Sequence, residues 1–259
     1  MKKLLALILA VLTLVACFAG CAPKEATDLD YIKDKGTLVV GITDFAPMDY
    51  KNEQGEWIGF DADMAKLFAE KLGVKVEFTE IEWGNKAMEL SGKSIDVVWN
   101  GMTLTNEVKE SMDCSVAYCN NAQMVIVPAD KADQYTTAES CKGLKFAVEG
   151  GSAGKDMAVA NGYTYTEVAD QATALMEVAA GTSDAAIIDS LMAGAMIGEG
   201  TGYAQLKGAV KLNSEEYGVG FRKGSDLVAE FNNFLSECKA NGKLDEVAKT
   251  YGVQEALIK

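Results

Sequence analysis

The stretch Met88-Glu-Leu-Ser-Gly-Lys-Ser-Ile-Asp-Val-Val-Trp-Asn-Gly101 returns, 88 residues later, as Met176-Glu-Val-Ala-Ala-Gly-Thr-Ser-Asp-Ala-Ala-Ile-Ile-Asp189. Each copy reads as a helix end, a glycine stop, an aspartate and a short apolar strand. The glycines are one place out of phase, so the repeat is weak. It still predicts two α/β lobes of similar design, with Gly101 and Asp189 at equivalent places just beyond matching strands. Open parallel sheets bind ligands at those carboxyl ends.

Upstream, residues 37–42 read as a buried strand that ends in a loop carrying Asp44, Phe45 and Pro47. Tyr50 and Trp57-Ile58 flank the turn-forming residues 52–55 as a hairpin. Asp61 is expected to cap a helix in which Met64, Leu67, Phe68 and Leu72 keep helical spacing and Gly73 is the stop. Val74, Val76 and Phe78 alternate with charged residues as a half-exposed strand, and a helix near 85–90 leads into a strand at 95–99. Strand, helix, strand, helix, strand implies a mostly parallel sheet.

Downstream, Met124-Val-Ile-Val127 and Tyr217-Gly-Val-Gly-Phe221 read as strands on which the chain crosses between lobes and returns, which gives two hinges. A helical tail carrying Leu227, Phe231, Phe234, Leu235, Leu244, Val247 and Tyr251, broken at Gly242, is expected to pack on the first lobe. The expected organisation is a leader at 1–20, a tether at 21–36, lobe 1 at 37–123 and 217–259, and lobe 2 at 124–216.

Composition narrows the chemistry. The chain has 259 residues, 49% hydrophobic and 24% charged, which suits a folded body of one to two domains. A net charge of −14 is the wrong sign for gathering phosphates, so no nucleic-acid partner is expected. There is no histidine, and Arg222 is the single arginine, so Ser-His-Asp and Cys-His catalysis and histidine-ligated metals are excluded by counting. No Walker motif occurs, so any ATP-driven step belongs to another chain.

Lys2 and Lys3 precede an apolar run from Leu4 to Ala16, interrupted by Thr13 and too short to span a membrane. Phe18-Ala-Gly-Cys21 resembles a lipoprotein cleavage box, so lipidation is expected at Cys21, with Cys17 as the alternative. Such an anchor would hold the body at an extracytoplasmic membrane face, at the cell surface or in the periplasm. Cys114, Cys119, Cys141 and Cys238 form no C-x-x-C pair, so no metal site is expected, and disulfides and free thiols both stay open.

Six segments in order carry a wider resemblance: 38–50, Gly59-Phe-Asp-Ala-Asp-Met-Ala65, Asp96-Val-Val-Trp-Asn-Gly-Met-Thr-Leu-Thr105, Ala147-Val-Glu-Gly-Gly-Ser-Ala-Gly154, Asp184-Ala-Ala-Ile-Ile-Asp189 and Glu216-Tyr-Gly-Val-Gly-Phe221. Together they resemble bacterial extracellular solute-binding proteins of family 3, the receptors of polar amino acid ABC importers. The resemblance implies an α/β type II periplasmic-binding-protein fold: two α/β lobes joined by two hinge crossings and closing over one small solute. It further implies a monomer without cofactor that hands its amino acid to a membrane permease driven by a separate ATPase.

By the same resemblance Asp189 pairs with the solute's α-ammonium, and Phe45 and Trp83 sandwich the solute. Asn100 and Gly101 offer a carbonyl and a close backbone approach. The full expected contact set is Asp44, Phe45, Trp83, Asn100, Gly101, Thr103, Ser152, Ala153 and Asp189. Physics supports the first role, since a buried ammonium needs a counter-charge. The chain departs from the family at Val108, where the pattern has an arginine for the solute carboxylate. Three substitutes are open: Lys109 as a point charge, backbone N–H groups near Thr103 and Ser152 helped by their hydroxyls, or a solute without an α-carboxylate. The second is preferred. Asp44, Asp49 and Glu149 are further carboxylates able to read a basic side chain. The competing expectation is an enzyme on the same scaffold, a dehydratase or cell-wall lytic enzyme, for which Glu107 and Glu149 are the available acids.

Overall fold

A computed structural model describes residues 26–259; the leader, Cys17 and Cys21 lie outside them. The chain enters through helix α1 (Asp28–Lys35), which the sequence assigned to the tether. Thr27 and Asp30 close a capping box around its first turn, and Ile32 is fully buried. A lone buried apolar residue makes no periodic pattern, which is why the helix is invisible to hydrophobic spacing.

Lobe 1 starts with β1 (Thr37–Ile42), the hairpin β2 (Tyr50–Lys51) and β3 (Trp57–Ile58), and helix α2 (Phe60–Leu72). Strand β4 (Lys75–Glu80), helix α3 (Lys86–Ser91), strand β5 (Val97–Thr103) and helix α4 (Asn106–Ser111) follow. Short strands β6 (Asp113–Cys114) and β7 (Cys119–Asn121) end the outward pass. Lobe 2 holds β8 (Gln123–Pro128), β9 (Lys145–Glu149), helix α5 (Ala153–Asn161), β10 (Thr164–Val168), helix α6 (Gln171–Ala180), β11 (Ala185–Asp189), helix α7 (Ser190–Met196) and β12 (Leu206–Lys211). The chain returns to lobe 1 on β13 (Glu215–Phe221) and ends in α8 (Leu227–Ala240) and α9 (Lys243–Thr250).

The weak sequence repeat is a structural one. Lobe 1 orders its strands β4-β1-β5-β13-β6, with β7 also on β13; lobe 2 orders them β10-β9-β11-β8-β12. In each, three parallel strands come from two strand–helix–strand units, and an antiparallel strand from a crossing segment completes them. Thus β5 and β11 are equivalent third strands, each following a helix, α3 or α6. The strand pairings show where the chain passes from one sheet to the other. Gln123 already pairs with Asp189 in lobe 2, and Glu215 and Glu216 already pair with β7 in lobe 1. The two crossings also bond to each other: Leu212 donates its N–H to the Gln123 carbonyl (2.8 Å), and Gln123 N–H donates to Asn213 Oδ1 (2.7 Å).

Aromatic packing holds the tail on lobe 1. Phe231 of α8 meets Trp99 of β5 edge-on at 4.9 Å and Phe68 of α2 at 5.4 Å. Arg222, 9% exposed, is a frame residue. It donates to Asp28 of α1 (2.9 Å), to Asp96 (3.2 Å) and to the carbonyls of Leu90 and Ile95. Lys35 adds a second cation to Asp96 at 2.5 Å. Lobe 2 has its own core of Val125, Val127, Val148 and Ile187, with Phe146 stacked on Tyr163 at 4.5 Å.

Asp61 does not cap α2; Gly59 occupies that place, and Asp61 is fully buried as the second residue of the helix. It accepts from Gly101 N–H (2.6 Å) and from the Tyr118 hydroxyl (2.7 Å). Asp49, also fully buried, accepts from Asn100 Nδ2 at 2.7 Å. Burial pushes the Asp61 carboxyl up to about 7, and burial plus the Asp61 charge raise Asp49 well above the carboxylate range.

Two predictions follow from this frame. Because both carboxyls are raised, the folded state holds protons that the unfolded chain has released. For Asp61 that contribution is complete below the unfolded pKa near 4 and is lost as pH rises through about 7, at about 1.4 kcal/mol per pH unit, and Asp49 acts in the same direction. Calorimetric melting should occur at a lower temperature at about pH 8 than at about pH 5, and Asp61→Asn should flatten that slope; a melting temperature that rises over this interval contradicts the assignment. Cys114, Cys119, Cys141 and Cys238 are all free thiols. Alkylation in guanidinium without reductant should label all four in peptide mass spectra, and a disulfide-linked peptide among them would contradict the packing described.

Candidate functional site

One cleft between the lobes gathers eight of the nine expected contact residues. Phe45, Trp83, Asn100, Gly101 and Thr103 line it from lobe 1, and Ser152, Ala153 and Asp189 from lobe 2. Asp44 is exposed outside this lining. Partial burial, then the charges of Asp170 and Glu80, raise its carboxyl, so it stands at an acidic rim where the lobes face each other.

Several of the eight also have jobs inside the protein's own frame. The Asn100 side chain is a clamp within lobe 1: Oδ1 accepts from Thr43 N–H (3.0 Å) and Thr43 Oγ1 (2.8 Å), and Nδ2 donates to the Thr43 carbonyl (3.1 Å) and to Asp49. Gly101 has φ of 53°, and a Cβ there would lie 2.5 Å from Phe45 Cε1. Glycine is therefore required so that the Phe45 ring can lie against β5 and form the cleft wall. Thr103 donates its hydroxyl to Glu215 Oε1 (2.8 Å). Ser152 caps α5: its hydroxyl donates to the Glu149 carbonyl (2.8 Å) and accepts from Lys155 N–H (3.1 Å). Both hydroxyl protons are engaged, so the expected hydroxyl-assisted anion nest is not formed by these side chains.

Asp189 ends β11 and is 3% exposed. Three side-chain amides surround it. Asn121 Nδ2 (2.8 Å) and Gln123 Nε2 donate to Oδ1, and Gln171 Nε2 donates to Oδ2 (3.0 Å). Burial and the nearby Glu215 charge push its carboxyl up to about 7, against the pull of these amides. Glu215 accepts from Asn121 (2.7 Å), Gln123 (2.7 Å) and Asn213 (2.8 Å), so one set of amides holds two carboxylates where the crossings meet.

Lys86, which the sequence reading passed over, is the one cationic side chain in the cleft lining among the described residues. It opens α3, six residues after β4 ends, donates to the Trp83 carbonyl (3.2 Å) and to the Gly151 carbonyl of the other lobe (2.9 Å), and lies 4.9 Å from the Trp83 ring centre. Burial lowers its pKa, and Glu149, Glu107 and Asp156 oppose the shift. The lobes also touch at glycines: a Cβ on Gly151 would lie 2.5 Å from Gly84 Cα. Lys109, the earlier candidate cation, is absent from the lining, and Val108 packs with Trp83, Leu90 and Met102. Lys86 lacked a sequence signal of its own, although it stands three residues after Trp83.

Comparison with known proteins places the fold in a family. The model of the family "Bacterial extracellular solute-binding proteins, family 3" matches residues 38–254. The L-cystine-binding protein TcyJ of Escherichia coli is 28% identical over 92% of this chain and 91% of its own. The arginine-binding extracellular protein ArtP of Bacillus subtilis is 30% identical over 97% and 98%. A solved mutant of ArgBP from T. maritima superposes with a TM-score of 0.81 at 31% identity, over 86% of this chain and 98% of that one. The chain belongs to the family 3 extracellular solute-binding proteins and has their two-lobed, type II periplasmic-binding fold.

Proposed function

We propose that the protein captures an amino acid or close derivative by closing its lobes over it, and delivers it to a membrane permease driven by a separate ATPase. The observation that carries this reading is Asp189, a buried carboxylate at a strand end on the cleft wall between the lobes. A carboxylate whose pKa burial has raised gains most from an arriving ammonium, because the ion pair replaces a poorly solvated charge. Phe45 and Trp83 supply apolar walls for the carbon skeleton. Lys86, in place of the family's arginine, meets the solute carboxylate beside the N-terminal turn of α5. The relatives' names, for cystine and arginine binding, support the amino acid class. A lipid anchor at Cys21 would keep the receptor, as a monomer, at the outer face of the membrane that holds its permease.

An enzyme on this scaffold is the weaker reading. Glu107 is exposed, and Glu149 interacts with the Thr43 hydroxyl but has no second acid bonded to it among the described residues that would complete an acid–base pair.

A thermal-shift screen of the twenty amino acids with ornithine, cystine and diamines should raise the melting temperature for a small subset, by mass action on the folded state. For a solute found in this way, Asp189→Asn should weaken calorimetric binding by about 30-fold or more, the cost of unpairing a buried ion; unchanged affinity contradicts the assignment. Wild-type affinity should also rise as pH climbs through about 7, since an ammonium must otherwise displace a proton from Asp189. Affinity that is flat over that interval, or falls, contradicts it.

A further inference from the structure

We infer that Glu149 is a second cation receptor in the cleft, so that the site takes a solute with two positive groups, a basic amino acid or a diamine. The inference rests on the proposed capture of an amine by Asp189 and adds the chemistry of the solute's other end.

Glu149 ends β9, the hydrogen-bonded neighbour of the strand that ends in Asp189, and both side chains line the cleft. It is 2% exposed, and its Oε1 has no hydrogen-bond partner among the described residues. Asp189 differs, since amides bond both of its oxygens. The nearby cation does not meet the need: Lys86 donates to two backbone carbonyls, and no ion pair to Glu149 forms among the described residues. Burial, then the charges of Asp189 and Asp170, push the Glu149 carboxyl up to about 8, while Lys86 and Thr43 pull it down. At neutral pH it therefore holds a proton that a better-placed cation would displace.

The charge balance of the wall points the same way. Glu107, Glu149, Asp156 and Asp189 face a single Lys86. A zwitterion with a neutral side chain pairs with Asp189 and leaves the Glu149 Oε1 buried and unmet. A solute with an ammonium at one end and an ammonium or guanidinium at the other satisfies both. A buried group left without its partner is the strongest basis for rejecting an isostere, stronger than a change of size.

The test is calorimetry on the full chain with L-arginine, L-lysine and putrescine, which each carry two cationic groups and are the dications of this test, and with L-citrulline, the match of arginine with an uncharged side chain, and L-glutamine as controls with one cationic group. At least one dication should bind, with L-arginine about 10-fold or more tighter than L-citrulline. Glu149→Gln should remove about 10-fold or more of the dication affinity while moving L-citrulline by less than about threefold, and Glu149→Asp should restore part of the loss. Tighter binding of the basic amino acids than of putrescine assigns the carboxylate to Lys86; the reverse makes the solute a diamine. L-Citrulline or L-glutamine binding wild type as tightly as the dications overturns the inference and leaves amino acid capture standing, as does a Glu149→Gln protein with unchanged preference. Where Glu149→Gln fails to melt cooperatively, the wild-type ratio of L-arginine to L-citrulline decides. If no probe binds wild type, the capture reading falls and takes this inference with it.

Discussion

Asp189 sits almost wholly out of water at the point where both interlobe crossings meet, and an ion in that position is stable only when donors surround it. Its donors come from different parts of the chain: Asn121 and Gln123 flank the first crossing, and Gln171 opens α6. The same Asn121 and Gln123 amides reach Glu215, the first residue of the returning strand. A rotation of one lobe on the other must therefore rearrange the groups that hold the cleft's central charge. In the proposed capture, an arriving cation changes what Asp189 asks of these amides, which would couple solute binding to hinge position directly rather than through a distant relay.

Lobe 1 supplies the rigid half of the cleft. Asp61 fixes the Gly101 N–H, Asn100 locks Thr43 to β5, and Phe45 lies where only a glycine at 101 leaves room for its ring. Arg222 ties α1, Asp96 and the turn before β5 into one block, which keeps β5 in register with β1. The cleft wall is thus positioned by buried polar groups whose removal would leave neighbours unpaired, a stronger constraint on geometry than apolar contact alone. Lobe 2 supplies the acids, Glu149 and Asp189, at the ends of adjacent strands. The two halves meet at the Lys86 bond to the Gly151 carbonyl and at the glycine contact of Gly84 with Gly151.

Much of the architecture was legible because it rests on local patterns. The Met88 and Met176 segments announced two similar lobes, and the shared strand order of the two parallel triplets is the physical content of that repeat. Positions near strand ends were legible for the same reason, which is why Phe45, Gly101 and Asp189 fall in one cleft. Roles set by contacts distant in sequence were not. Asn100 points into lobe 1 because Asp49 and Thr43 are there, and Asp61 is a buried acceptor for Gly101 rather than a cap. Lys86 reads as a helix-surface lysine until Gly151 arrives from the other lobe, 65 positions along the chain. The helix α1 escaped notice because only Ile32 of it is fully buried, with Leu29 and Tyr31 half-buried beside it, and because it is tied down by an ion pair with Arg222, 194 positions away.

The central claim is that the positive end of a small solute rests on Asp189 inside the closed cleft. Co-crystallisation with the solute that gives the largest thermal shift tests it most directly. The account predicts an ammonium or guanidinium nitrogen within hydrogen-bonding distance of the Asp189 carboxylate, with the carbon skeleton between Phe45 and Trp83. A solute bound outside the cleft, or one that turns an uncharged or anionic group towards Asp189, would contradict it.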